Sequence, residues 1–201
     1  MKNKKAEINN FEFNRQLFHL ALGVAIVLLL MYGFIDKNII LILILFGIIL
    51  SIASKTNKLP IIYALLQKFE RKKEIENFPG KGIIFYFTGV YISLLLFPRE
   101  VALASIMVLA FGDSISHMYG MHYGKIRHPL SNRKFLEGTI AGFIAGFIGA
   151  WMFLPWHEAF FASLIAMAVE AIEIKIGAEQ VDDNLIIPVV AGAVVYLLRL
   201  I

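Results

Sequence analysis

The chain of 201 residues contains no cysteine, which excludes disulfides, cysteine-ligated zinc, iron–sulfur clusters and thiol catalysis. It has no GxxxxGK[ST] loop, so it is not a P-loop nucleotide enzyme. Its five histidines show no HExxH or comparable ligand spacing, and no zinc site is expected of them. There is no Ser/Gly-rich linker, low-complexity tract or internal repeat, which leaves no room for a separate soluble domain. A single integral membrane domain over residues 1–201 is the simplest reading.

What is abundant is apolar sequence: 59% of the residues are hydrophobic and the mean hydropathy is +0.73. Runs near 16–34, 39–54, 82–98, 101–123, 136–154, 158–174 and 185–201 approach the length that spans a bilayer. The expected fold class is all-α, a polytopic transmembrane helix bundle of about seven membrane helices. The second, sixth and seventh runs are short, so six crossings with one re-entrant segment is the alternative. The first run is longer than a signal-peptide core and no A-x-A site follows it, so it reads as a retained helix.

An odd number of crossings puts the two chain ends on opposite sides. Of the 19 Lys and Arg residues, sixteen then fall on one side, leaving only Lys37, Arg99 and Arg199 on the other. By the positive-inside rule the crowded side, with the N-terminus, is cytoplasmic. The net charge of +4 is accounted for by these loops and needs no nucleic-acid partner. Two loops stand out. Residues 55–81 combine spaced apolar residues with the charge run "ERKKEIE", as an amphipathic interfacial helix does. Residues 122–137, "HYGKIRHPLSNRKFLE", offer four Lys/Arg residues and a Pro-centred turn with one acid, a suitable set of anion ligands.

Polar residues within the apolar runs need a reason, because a charge at mid-bilayer costs about 2.5–3.5 kcal/mol on insertion scales. Asp113 is the clearest, and His117 lies four residues on, in reach of a structural pairing along one helix face. Gly112, Ser116, Gly120 and Gly124 recur every fourth residue, a ridge that serves close helix packing or close approach of phosphate to the backbone. Gly138, Gly142 and Gly146 form a second ridge. Glu137 sits at a helix start, where it could cap, with Arg133 and Lys134 just before it at the same helix end. Glu170 lies deeper than Glu173 at the end of the sixth run, and Asp183 or Asn184 would cap the seventh. Arg15 and His19 share a face of the first. On the charge-derived topology these groups converge in the cytoplasmic half, where carboxylates beside Lys/Arg suit a divalent cation with a polyphosphate meeting a lipid.

"GDSISHMYGMHYGK" (112–125) followed by "NRKFLEGTIAG" (132–142), with "RQLFH" (15–19), "PGKG" (79–82) and "DDNLIIP" (182–188), resembles the CTP-dependent polyprenol kinase family. That family includes dolichol, phytol and CTP-using diacylglycerol kinases, and is similar here to phosphatidate cytidylyltransferases. It often carries Ser or Thr where this chain has Phe135, and Arg-Lys where it has Arg15-Gln16. The resemblance implies transfer of the CTP γ-phosphate to a membrane lipid alcohol, with Mg2+ or another divalent cation. It assigns Asp113 as metal ligand or base, Lys134 with Arg133 and Lys125 as phosphate ligands, Glu137, Glu170 and Asp183 as further metal or network acids, and Asn184 as a contact to nucleotide or metal. Gly112, Gly120 and Gly124 would let phosphates approach, while Arg15 and His19 would line the acceptor entrance. A cytidylyltransferase and a small ion-coupled transporter are the alternatives.

Overall fold

A computed structural model describes residues 2–57, 60–131, 133–172, 174–176 and 179–200; Lys58, Leu59, Asn132 and Glu173 from the motifs above lie outside the described residues. Every apolar run forms a helix. Helices α1 (Lys2–Met31) and α2 (Lys37–Asn57) are followed by two short ones, α3 (Pro60–Phe69) and α4 (Lys72–Asn77), which together occupy the 55–81 connection. Then come α5 (Lys81–Leu96), α6 (Arg99–Met107), a π-helical stretch Val108–Asp113, α7 (Ser114–Tyr123), α8 (Leu136–Trp151), α9 (Trp156–Glu170), the antiparallel pair β1 (Lys175–Ile176) and β2 (Glu179–Gln180), and α10 (Asp183–Leu198).

Local chemistry sets the boundaries. Asp36 accepts from the N–H groups of Asn38 and Ile39 at 3.0 and 2.9 Å and so starts α2. Pro98 and Pro155 sit at the N-caps of α6 and α9, where a residue without an N–H sacrifices no helical hydrogen bond. Asp182 caps α10 by accepting from Asn184 N–H.

The protein is an all-α membrane bundle. Among the described residues three helices are long and apolar enough to cross a membrane: Asn10–Met31, Lys37–Lys55 and Arg99–Tyr123. Helices α5, α8 and α10 are apolar but have 16 residues each, about 24 Å at helical rise. The stretch Arg99–Tyr123 is the centre of the bundle, with 72% of its apolar window buried against 33% for Asn10–Met31 and 22% for Lys37–Lys55. Helices α1, α8, α9 and α10 all touch its π-helical part, and α5 closes the bundle against α2 and α10.

Lipid gives apolar helices little reason to associate, so fit between backbones decides which faces meet. Helix α8 shows this on its two sides. Ile140, Ile144 and Ile148 are exposed on the outside, while Gly138, Gly142 and Gly146 are buried against the central helix and α9. A Cβ added to Gly138 would lie 2.6 Å from the Ser116 carbonyl oxygen, and one on Gly142 would lie 2.6 Å from that of Gly112. Only glycine permits this approach.

Charged contacts separate to the two ends of the bundle. Arg99 donates to the Leu30 and Met31 carbonyls that end α1, and Arg199 pairs with Glu158 and Glu100. The other end carries the Glu12–Arg15, Glu12–Arg71 and Lys134 ion pairs.

Candidate active site

At that second end a cavity of about 280 Å³ opens among α1, α7, α9 and the loop before α8. The inner face of the central helix forms one wall: Ser116, His117, Gly120 and Met121 line it, one turn beyond the buried Asp113. The π-helical stretch ends at Asp113. Such widened turns change the angular relation between the residues before and after them and are frequent at functional sites.

The opposite wall comes from the 122–137 loop, which is a hairpin closed by side chains. Arg127 and Phe135 form a bridge, His128 N–H donates to the Lys134 carbonyl at 3.0 Å, and Leu136 N–H to that of Ile126 at 3.0 Å. Glu137 fastens its base by accepting from the N–H groups of Lys125 and Ile126, each at 3.1 Å. Phe135 stacks beneath the Arg127 guanidinium at 4.5 Å and packs on Gly120, so the aromatic ring in place of a hydroxyl residue acts as a packing element. The hairpin delivers Arg133 and Lys134 to the cavity.

Lys134 is the hub. Its Nζ donates to Glu170 Oε1 at 2.8 Å, to the Glu170 carbonyl, and to Asp183 Oδ2 at 3.0 Å, tying the hairpin to the end of α9 and the start of α10. Burial alone pulls its pKa down, but Glu170 and Asp183 outweigh burial and raise it, so Lys134 is a cation. The Glu170 side chain has no solvent exposure, and its second oxygen, Oε2, has no hydrogen-bond partner. Asp113, His117 and Glu170 each offer a ligand atom, all within 4.8 Å of one another. A buried, unpartnered carboxylate oxygen beside a second carboxylate and an imidazole has the donor set of a cation site, and these residues therefore fit a divalent metal.

Other expected residues fall elsewhere. Asp183 spends Oδ2 on Lys134. Asn184 is turned to its own helix end, with Nδ2 donating to Asp182 Oδ1 at 2.8 Å, and does not line the cavity. Glu137 holds the hairpin from outside it. The packing face of Gly112 is closed by Met167 and that of Gly124 by Phe135, while Gly120 faces Gly138 and Phe135; the ridge is a helix–helix seam, and of the three only Gly120 also borders the cavity. Lys125 is exposed. Arg15 does not line the cavity but pairs at 3.0 Å with Glu12, which does. His19 is buried inside the bundle, 5.5 Å from the Tyr86 ring, and is not among the residues that line this cavity.

The structure also adds residues. Arg71 and Glu12, paired at 2.8 Å, line the cavity with His117. Within "ERKKEIE" nothing distinguishes Arg71 from its neighbours, whereas the Asp113–His117 spacing was visible but equally suited to a structural pair. Glu70 gives "PGKG" its shape. Its buried carboxylate accepts from Gly80 N–H at 2.8 Å and Gly82 N–H at 3.1 Å, while Gly80 takes φ +83°, a backbone angle that suits glycine. Burial raises the Glu70 pKa, against the opposing pull of those two N–H groups.

No family model matches the chain, and no solved structure matches it. Among curated proteins it is 34% identical over 191 residues to an uncharacterised protein of Methanocaldococcus jannaschii, covering 92% of each chain. It is 27% identical to CTP-dependent diacylglycerol kinase 1 of Saccharomyces cerevisiae over 92% of this chain and 72% of the relative. It is 30% identical to a probable chloroplastic phytol kinase of Glycine max over 59% of this chain and 45% of the relative.

Proposed function

We propose that this chain, which belongs to the CTP-dependent polyprenol and lipid kinase family, transfers the γ-phosphate of CTP to the hydroxyl of a membrane lipid alcohol at the cytoplasmic face. The observation that carries the reading is one cavity at the end of a membrane bundle, lined by Arg71, Arg133, Lys134, His117 and Glu170, with the buried Asp113 behind it, its carboxylate within 4.8 Å of the ligand atoms of His117 and Glu170. The concentration of Lys and Arg at this end supports its cytoplasmic placement. Cations lining the walls suit the polyphosphate, and the neighbouring lipid-facing helices suit an acceptor that arrives from the bilayer.

In the reaction the acceptor oxygen forms a bond to the γ-phosphorus, the bond from that phosphorus to the bridging oxygen breaks, CDP leaves, and the hydroxyl proton departs to water or a carboxylate. Phosphoryl transfer depends mainly on positioning and charge neutralisation. Arg133 and Arg71 hold phosphate oxygens, and Lys134, fixed by Glu170 and Asp183, places a positive charge beside them. Asp113 and Glu170 would hold a divalent cation, which supplies neutralisation of the charge developing on the phosphates. Glu137 acts through the hairpin as a positioning residue.

The test uses purified protein with CTP labelled separately at the α and γ phosphates, against polyprenol, dolichol, phytol and diacylglycerol. Transfer of γ label alone is expected with at least one acceptor. Transfer of α label onto a phosphatidic-acid-type acceptor would establish cytidylyl transfer instead, and no transfer of either label across the panel would refute the reading.

A further inference from the structure

We propose that His117 is a direct metal ligand, completing with Asp113 and Glu170 a nitrogen-containing site that takes Mn2+ in preference to Mg2+ before nucleotide binds. The purpose of this ion rests on the phosphotransfer reading above, but its existence does not.

Three observations carry the inference. Asp113 is the last residue of the π-helical stretch and His117 lies four residues on in α7, so both can face one point. Glu170 arrives from α9, and the ligand atoms of all three lie within 4.8 Å of one another, close enough for one ion to draw them into its shell. Glu170 is also divided in function: Oε1 is held by Lys134 at 2.8 Å, while Oε2, in a side chain with no exposure, has no partner. Lys134 thus satisfies one oxygen and leaves the other for a second cation. A buried carboxylate oxygen left without a donor is costly, and a metal ion removes that cost.

The imidazole decides which ion. Mg2+ favours an all-oxygen shell and dehydrates reluctantly, whereas imidazole nitrogen suits the first-row transition metals; Mn2+ begins that series and shares the preference of Mg2+ for carboxylate oxygen, so the two carboxylates suit both ions and the imidazole favours Mn2+. Two carboxylates and one imidazole leave coordination positions for water or phosphate oxygens. Arg71, Arg133 and Lys134 line the same cavity and do not compete as ligands, because they have no acceptor atoms.

The experiment is Mn2+ titration of the nucleotide-free, full-length protein, followed by electron paramagnetic resonance and by electron spin echo modulation from 14N. The expected result is about one bound Mn2+ per chain, retained against a tenfold excess of Mg2+, with imidazole nitrogen modulation. His117→Gln should lose the modulation and weaken Mn2+ binding at least tenfold, while changing Mg2+ binding less than threefold. Because the wild-type spectrum reads the ligand directly, a variant that fails to fold does not decide the matter. Bound Mn2+ without nitrogen modulation, or no Mn2+ binding in the absence of nucleotide, overturns the proposal even if γ-label transfer succeeds. The expected spectrum without transfer of either label sustains the metal site and refutes the kinase reading.

Discussion

Replacing Lys134 by Met keeps the length of the side chain and removes its charge, which tests whether this residue holds the site together. In the native protein Nζ lies 2.8 Å from Glu170 Oε1 and 3.0 Å from Asp183 Oδ2, with side-chain exposures of 14%, 0% and 24% for Lys134, Glu170 and Asp183. The variant leaves a fully buried carboxylate facing a second one with no cation between them. Removing one partner of a buried pair costs about 3–5 kcal/mol. At roughly 2–4 °C per kcal/mol for a chain of this size, the midpoint should fall by roughly 6–20 °C. Thermal unfolding in detergent, followed by size-exclusion chromatography, measures it. Glu170→Gln in the Lys134→Met background should recover more than half of the loss, because it removes the stranded charge. Activity should stay absent in the double variant, since neither the phosphate cation nor the full carboxylate is restored. A Lys134→Met midpoint within about 2 °C of wild type, or no recovery in the double variant, would show that the pairing is not what joins the hairpin to α9 and α10.

Gly142→Ala should destabilise the protein by about 1–3 kcal/mol through overpacking, because the new Cβ would sit 2.6 Å from the Gly112 carbonyl; Ile144→Leu on the lipid side should leave the same melting curve unchanged. Glu70→Ala should cost about 1–3 kcal/mol by leaving the Gly80 and Gly82 N–H groups without their acceptor, and Glu70→Gln should restore part of it in the same melt. Burial pushes Asp182 up to about 6, so the folded chain binds this proton more tightly than the unfolded chain does. Its contribution to stability is therefore full below the ordinary Asp value and declines as pH rises through about 6. Asp182→Asn keeps a good N-cap, so the difference between variant and wild-type midpoints should widen in favour of the variant from pH 4 to pH 7; a constant difference would refute it.

Sequence patterning reached the architecture because membrane helices are specified by single-chain properties. Apolar length marks each helix, and the alternation of Lys/Arg between loops marks its ends. It also singled out Asp113, Lys134 and Glu170, which the structure brings together, since an ionisable residue in or beside an apolar run is conspicuous. What it could not supply is the angular relation among helices. The π-helical stretch Val108–Asp113 has no compositional mark, and whether the 112–124 ridge meets phosphate or another helix depends on what faces it. The structure puts Gly138 and Gly142 there. Arg71 and Glu12 were invisible for a related reason: both lie in polar contexts where charge is ordinary, and only their pairing across 59 residues brings them to the cavity. His19 lies away from this cavity, which its sequence context does not reveal, because a buried histidine and a site histidine look alike in sequence.

The charges around the cavity also indicate the order in which its ligands assemble. Glu12 is shared by Arg15 and Arg71, at 3.0 and 2.8 Å, so this group keeps one net positive charge on the cavity wall. What remains near the floor is Asp113, Glu170 and Asp183 around the single ammonium of Lys134, with Arg133 exposed at the rim. A bare polyphosphate entering this arrangement would meet carboxylates at close range, where the low dielectric of the bundle strengthens repulsion. A divalent cation meets the opposite sign. Once it is bound, the same floor becomes attractive to phosphate, so metal and nucleotide should bind with positive coupling, each tightening the other by the same factor. Isothermal titration of CTP with and without saturating Mn2+, and of Mn2+ with and without CTP, measures that factor in both directions after correction for metal–nucleotide complexes in solution. Equal affinities in the two conditions would mean that the carboxylates do not act on the nucleotide, and would remove the electrostatic reason for placing Asp113 and Glu170 beneath it.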